Sequence, residues 1–209
     1  MTHILIRRRI IKDFEPYLVA STYIDCDHVD VKAKANSLAE GLEQKTDIAK
    51  SCFEFVRDDI KHSLDYKLDS VTCKASDVLK FGTGYCYAKS HLLAALLRAN
   101  DIPSGLCYQR LTIENDAPPF SLHGLNAVYL DDIGWYKIDA RGNKPGVDAQ
   151  FAPPLEKLAF PIVSEGEFDF EGIWSSPLPQ VVECLTAANN HIDVFNTLPD
   201  LDEKNALSS

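Results

Sequence analysis

Gly82-Thr83-Gly84-Tyr85-Cys86-Tyr87 joins a short turn of helix to the most strongly patterned helix of the chain. Its two glycines permit backbone angles that side chains forbid and let another chain approach closely. Cys86 falls at the helix start, where backbone N–H groups are unpaired and the positive end of the macrodipole favours the thiolate. The thiolate is the nucleophilic form of cysteine, so this loop presents a candidate nucleophile together with a backbone oxyanion donor. The helix is expected from Tyr85 to about Asn100. Ala88, Leu92, Ala95, Leu96 and Ala99 form its apolar stripe, and Pro103 stands just beyond its end.

Downstream, residues 105–113, 122–130 and 135–140 read as three strands rich in β-branched and aromatic residues. Asp131-Asp132-Ile133-Gly134 is the turn between the last two. Glu114 to Ser121, with Pro118-Pro119, is a loop placed to shape a substrate entrance. Upstream, residues 3–11 and 17–24 read as strands separated by Pro16. Val31, Ala35, Leu38 and Leu42 recur at helical spacing ahead of a stop at Gly41. Thr46-Asp47 caps a second helix carrying Ile48, Cys52, Phe55, Val56 and Ile60, and Ser76-Asp77 caps a short one, Val78 to Phe81. Residues 61–74 read as irregular.

Past Gly142 the prolines 145, 153, 154 and 161 predict a wrapping segment. Ser176-Pro177 opens a last helix with Val181, Val182, Leu185 and Ala188, and residues 199–209 read as a frayed acidic tail. The layout is α+β: a helical N-terminal half packed on an antiparallel sheet, in one domain over 1–209. Within it, 1–44 hold N-terminal strands and a helix, 45–142 the core, 143–198 the wrap and 199–209 the tail.

The strands supply partners for the cysteine. His123 begins the middle strand, and Asp139 ends the next one after Trp135-Tyr136-Lys137-Ile138. Aspartate is disfavoured inside strands, which suits a paired role. Asp139 is expected to accept Nδ1–H of His123, fixing the tautomer and stabilising the imidazolium. That pairing makes a geometric demand. Side chains alternate faces along a strand, so the two meet only across a loop of odd length or a bulge. Of the other histidines, His91 lies five residues after Cys86 on one helix, roughly 140° round the axis, and reads as structural. His62 ends a helix and is a weaker rival, while His3, His28 and His191 sit near the chain ends.

The combination Gly82-x-Gly84-x-Cys86 with its helix, His123 on a strand, and Asp139 after Gly134-Trp135 resembles the transglutaminase-like cysteine-enzyme superfamily. Phe55-Val56-Arg57-Asp58, and Leu97-Arg98-Ala99 ahead of Ile102-Pro103, resemble it as well. The likeness spans roughly residues 45–142. It implies a papain-like core and a Cys-His-Asp triad, as in proteases, deamidases and amide cross-linkers, with Cys86 as nucleophile, His123 as base and Asp139 as orienting acid. Two positions depart from the family pattern: Leu125 replaces an aromatic residue, and Ala140-Arg141-Gly142 replaces proline and a small polar residue. Both leave substrate class open. For a second oxyanion donor, the residue suggested by position is Tyr66.

Bulk composition agrees with an enzyme of this kind. The chain has 209 residues, 45% hydrophobic and 25% charged, an ordinary globular balance. Its net charge of −10 repels phosphate backbones and anionic lipid, so neither nucleic acid nor membrane is an expected partner. The expected partner is a peptide or protein substrate, with no cofactor. Six cysteines form no Cys-x-x-Cys pair, and no signal-like segment precedes them; free thiols in a reducing cytoplasm are expected. The competing readings are a non-catalytic peptide-binding module on the same fold, and a metal site using Cys86, His91 or His123, and Asp139.

Overall fold

The computed structural model describes residues 14–113 and 117–202. The strand expected over 3–11, part of the loop before Ser121, and the end of the acidic tail lie outside the described residues.

The chain is organised around one helix. After α1 (Val29–Ala39), α2 (Lys45–Asp58), β1 (Lys61–His62), α3 (Ser63–Tyr66), α4 (Ala75–Phe81) and β2 (Thr83–Gly84) comes α5 (Cys86–Ala99). Every residue of α5 from Cys86 to Arg98 is buried. The helix is apolar nearly all round, with Leu92, Leu93, Ala94, Ala95, Leu96 and Leu97 in succession, so it must be covered on all sides. α1, α2 and α4 pack against it, as do β3 (Ser104–Thr112) and β4 (Phe120–Leu130). Each fully buried leucine contributes about 1.5–3 kcal/mol relative to an exposed one.

β3, β4, β5 (Gly134–Ile138) and β8 (Phe168–Asp169) form an antiparallel sheet in the order β5-β4-β3-β8. β3 and β4 pair from Ser104↔Val128 to Thr112↔Phe120, and β4 and β5 from Asn126↔Ile138 to Leu130↔Gly134. The β4–β5 loop is therefore Asp131-Asp132-Ile133, with Gly134 at φ +90 closing it. Three residues is an odd length, so by alternation His123 and Asp139 share a face, as their pairing requires. A hairpin of β6 (Gln150–Ala152) and β7 (Leu155–Lys157) follows, then α6 (Pro179–Ala187) and α7 (His191–Asn196). Helices on an antiparallel sheet give the α+β class that the pattern predicts.

Several expectations need correcting. Residues 17–24 are not a strand. A 3-10 turn, Glu15–Tyr17, is followed by bends, because Pro16 withholds a ladder donor and suits a first helical turn. Phe14 and Tyr17 instead set their rings against Trp135, at 5.9 and 5.0 Å between centroids. α2 starts before Thr46-Asp47, with Gln44 at its N-cap, and α4 starts at Ala75 with Lys74 there. Pro179, not Pro177, opens α6. The start of the tail is anchored rather than frayed: Pro199 accepts from Leu122 N at 2.7 Å, Asp200 pairs with Arg110, and Leu201 is buried.

Candidate active site

Two glycines set Cys86 in place. Gly82 takes the left-handed conformation, φ +66, that ends α4. Gly84 lies so close to α5 that a Cβ there would meet Ala88 Cβ at 2.9 Å and Thr72 Oγ1 at 3.0 Å. Between them, Thr83 is buried and donates to Lys61 O at 2.9 Å, which ties β2 to β1. The N-cap residue, Tyr85, makes no side-chain cap to the first N–H groups of α5, and Tyr85, Cys86 and Tyr87 line the cleft. The Cys86 carbonyl accepts from Ser90 Oγ at 2.8 Å.

His123 comes to this helix start from β4. Its neighbour Gly124 makes the approach possible. A Cβ at Gly124 would lie 2.8 Å from Tyr87 Cδ1 and 3.1 Å from Tyr87 Cα, so the first turn of α5 rests directly on the strand. Tyr87 Oη then donates to Leu122 O at 2.5 Å and locks that turn down.

His123 has two polar neighbours. Its Nε2 is 2.8 Å from Asp139 Oδ2, and the Cys86 side chain, in the same cleft wall, is near enough to raise its pKa. The expected contact through Nδ1 is therefore corrected: Asp139 takes Nε2, which leaves Nδ1 for the sulfur side. The register explains the exchange. Asp139 falls one step past the Asn126↔Ile138 pair, opposite Leu125, so it is a diagonal neighbour of His123. Diagonal neighbours on a sheet are ~7–8 Å apart at Cα, and the far tip of the ring is what spans that gap.

The electrostatics follow from this geometry. Burial disfavours the His123 imidazolium, but the Asp139 carboxylate, its hydrogen bond and the Cys86 side chain outweigh it and raise the pKa to about 10. Burial likewise pushes the Asp139 carboxyl up. The His123 charge and hydrogen bond, with donors from Ala159 N at 3.0 Å and Arg141 N at 3.1 Å, more than reverse this and hold it below its ordinary value. The Phe160 ring meets His123 edge-on at 5.1 Å and closes one side.

Cys86 and His123 open on a cleft of about 420 Å³, walled also by Leu111, Ile113, Ser121, Leu122, Phe160 and, from the C-terminal segment, Phe195 and Leu198. A larger hollow of about 580 Å³ lies between α6 and α7, without either residue. Tyr66, the residue suggested as a second donor, is 57% exposed and lines no part of the cleft; its ring lies under Lys61 Nζ. His91 is structural as expected, its Nδ1 2.7 Å from Cys73 O.

His62, read from the sequence as a helix-end histidine and a weaker rival to His123, lies in the cleft on a short strand. On that strand, β1, it sits directly opposite Gly84 in a parallel pair, two residues before Cys86. It is buried, lines the cleft, and faces the Tyr85 ring at 5.2 Å. Burial first, and the nearby Arg141 charge second, hold its pKa well below 6.5, so it is a neutral imidazole. Among the described residues its Nδ1 has no hydrogen-bond partner, and it lies 3.8 Å from Asp65, beyond hydrogen-bond range. The two-residue strand that carries it has no periodicity to read. The only available signal is its apposition to the glycine loop.

Three solved structures resemble the chain: a candidate cysteine protease from Cytophaga hutchinsonii (21% identity, TM-score 0.49, covering 62% of this chain and 42% of that one); a candidate protease from Parabacteroides distasonis (13%, 0.42, 72% and 30%); and the periplasmic domain of TgpA from Pseudomonas aeruginosa (16%, 0.44, 59% and 45%). The chain spans less than half the length of each. No curated protein matches it significantly. The family model of the transglutaminase-like superfamily matches residues 32–140, more than half of the chain, beginning in α1 and running through Asp139. The chain belongs to the transglutaminase-like superfamily.

Proposed function

We propose that the protein is a cysteine-dependent acyl-transfer enzyme acting on peptide or glutamine-like amide bonds. The observation that carries this is His123, paired with the Asp139 carboxylate at 2.8 Å and lining one cleft with Cys86. An imidazolium in that position stabilises a thiolate beside it and is the acid an amine leaving group needs. In the first step the Cys86 sulfur attacks the amide carbonyl carbon. The C–N bond breaks, His123 gives its proton to the departing ammonia or amine, and a thioester remains. In the second step His123 takes a proton from water or an acceptor amine, which displaces the sulfur and returns Cys86 and His123 to their starting state. Asp139 keeps the ring oriented throughout.

The donors we assign to the developing oxyanion are two groups of this cleft, the Cys86 N–H at the start of α5 and Nε2–H of His62. Among the described residues no contact fixes a proton on His62 Nδ1, so Nε2 is free to carry it. All six cysteines are free, in keeping with a reducing compartment such as the cytoplasm. Among the described residues no helix is long and apolar enough to cross a membrane.

Three parallel assays test the proposal: ammonia release from glutamine peptides, incorporation of a fluorescent amine, and cleavage of unfolded protein. At least one activity is expected, and Cys86→Ala abolishes it. Activity that survives in Cys86→Ala overturns the assignment.

A further inference from the structure

We propose that the cleft reads a carboxylate on its substrate, within about three residues of the reacting amide, through Arg141 and Lys144. This rests on the acyl-transfer reading and names a substrate class for it. The chain as a whole carries −10, yet this wall of the cleft is cationic. Arg141 is also the residue that breaks the family pattern after Asp139.

Arg141 and Lys144 share a single acidic partner. Asp65 accepts from Arg141 Nη1 at 2.5 Å, Arg141 Nη2 at 3.1 Å and Lys144 Nζ at 2.7 Å. Two cations against one carboxylate leave a positive charge in excess. Asp65 lines only the neighbouring hollow, which Arg141 shares, while Arg141 and Lys144 both line the cleft itself. The bonds to Asp65 take two of the guanidinium's five N–H donors and one of the ammonium's three. The Arg141 side chain is 8% exposed and so built into the wall, whereas Lys144 at 42% stands at the mouth.

The Phe160 ring fixes the distance to the chemistry. It meets the His123 ring at 5.1 Å and the Arg141 guanidinium at 5.6 Å, so the cation is one aromatic ring away from the imidazole. At ~3.3 Å per extended residue, that span covers up to about three residues of a bound peptide. Glu167 also lines the cleft and keeps its negative charge, its oxygens held by neutral donors, so the cationic wall is the Arg141–Lys144 side alone. Asp139 holds His123, and Glu167 accepts from Thr112 N, Thr112 Oγ1, Val163 N and Ser164 N. A planar, buried guanidinium beside a flexible ammonium suits a carboxylate, by bidentate bonds at one and charge at the other. That group is either an Asp or Glu side chain or the free C-terminus of a peptide.

The test is calorimetric binding to Cys86→Ala, which separates recognition from chemistry. The probes are acetylated six-residue peptides with a central Gln and one Glu moved through the flanking positions. Their all-Gln counterparts, and C-terminal acid and amide pairs, complete the set. Tighter binding of an acid-bearing probe, by about tenfold at one position, is expected, with the preference eroded by salt. Lys144→Glu in the same background removes or inverts that preference. The scanned Glu and the terminal acid tell the two carboxylate sources apart. Equal binding of Glu and Gln probes overturns the proposal, as does a preference that persists in both Lys144→Glu and Arg141→Gln. Absence of acyl transfer by the unmutated chain on the preferred probe, with the binding preference intact, counts instead against the acyl-transfer reading and leaves carboxylate recognition standing.

Discussion

Asp139 keeps its charge where burial alone would neutralise it, because two backbone donors and the His123 imidazolium surround it. Asp139→Asn keeps the shape and removes the charge. It should lower turnover by roughly 10²–10⁴-fold with little change in fold, and should bring the His123 pKa down from about 10, as read by NMR titration of the imidazole. The same raised pKa makes a stability prediction. A histidine protonated more tightly in the folded chain contributes stability that is full below its ordinary pKa of about 6.5 and lost as pH rises through about 10. Denaturant unfolding between pH 6 and 10 should therefore show stability falling across that window, less steeply in His123→Gln. His62→Ala should lower kcat more than it raises KM if His62 acts on the oxyanion. Whether His123 and Asp139 share a face was not legible in the sequence, because alternation makes it hinge on whether Gly134 belongs to the turn, as expected, or to β5, as the Leu130↔Gly134 pair shows. Nor was the ring nitrogen, because it depends on a diagonal offset that strand boundaries alone do not supply. His62 reads only as a weaker rival because two residues of strand carry no pattern.

α5 and β4 touch where Gly124 leaves room, so this contact decides whether Cys86 meets His123. Gly124→Ala would drive a Cβ to 2.8 Å from Tyr87 Cδ1 and 3.1 Å from its backbone. The strand or the helix start must then move. We expect a loss of about 1–3 kcal/mol in unfolding free energy. Activity should fall by more than that loss accounts for, since small displacements at a reacting pair are costly. Paired measurement of melting and turnover on this variant checks both. Elements with many turns or alternations were readable: α1, α2, α5 and the three long strands all lie near their expected positions. Their caps were less so. Gln44, Lys74 and Leu178 hold N-cap positions with no side-chain hydrogen bond, where Thr46-Asp47, Ser76-Asp77 and Ser176-Pro177 looked better by residue type. Tertiary packing fixed these helix starts, and cap preference did not.

The whole chain is tied together by Arg98, buried at the end of α5. Its guanidinium donates to Ser104 O, Val19 O and Ser175 O at 2.8–3.1 Å, joining β3 to segments near both ends of the described chain. Burial lowers its pKa to about 10. Arg98→Met leaves three carbonyls without this donor. It should cost about 3 kcal/mol or more, measured by chemical denaturation, with the Cys86 region less affected than the termini in hydrogen exchange. The sequence showed the C-terminal segment only as proline-rich wrapping. Its role in the cleft, through Phe195 and Leu198, depends on long-range closure that no local pattern encodes.

The central claim, that His123 and the start of α5 activate Cys86, is tested most directly by site-resolved iodoacetamide labelling near neutral pH. Cys184 is the internal reference, since Cys86 and Cys184 are almost equally buried at 7% and 6% exposed, so access does not favour either. Burial raises the Cys184 thiol, and it pushes those of Cys52, Cys73 and Cys107 up to about 12. The account predicts that Cys86 is alkylated at least about tenfold faster than Cys184, and that His123→Ala removes most of the difference. Equal rates at Cys86 and Cys184 in the folded protein would contradict it.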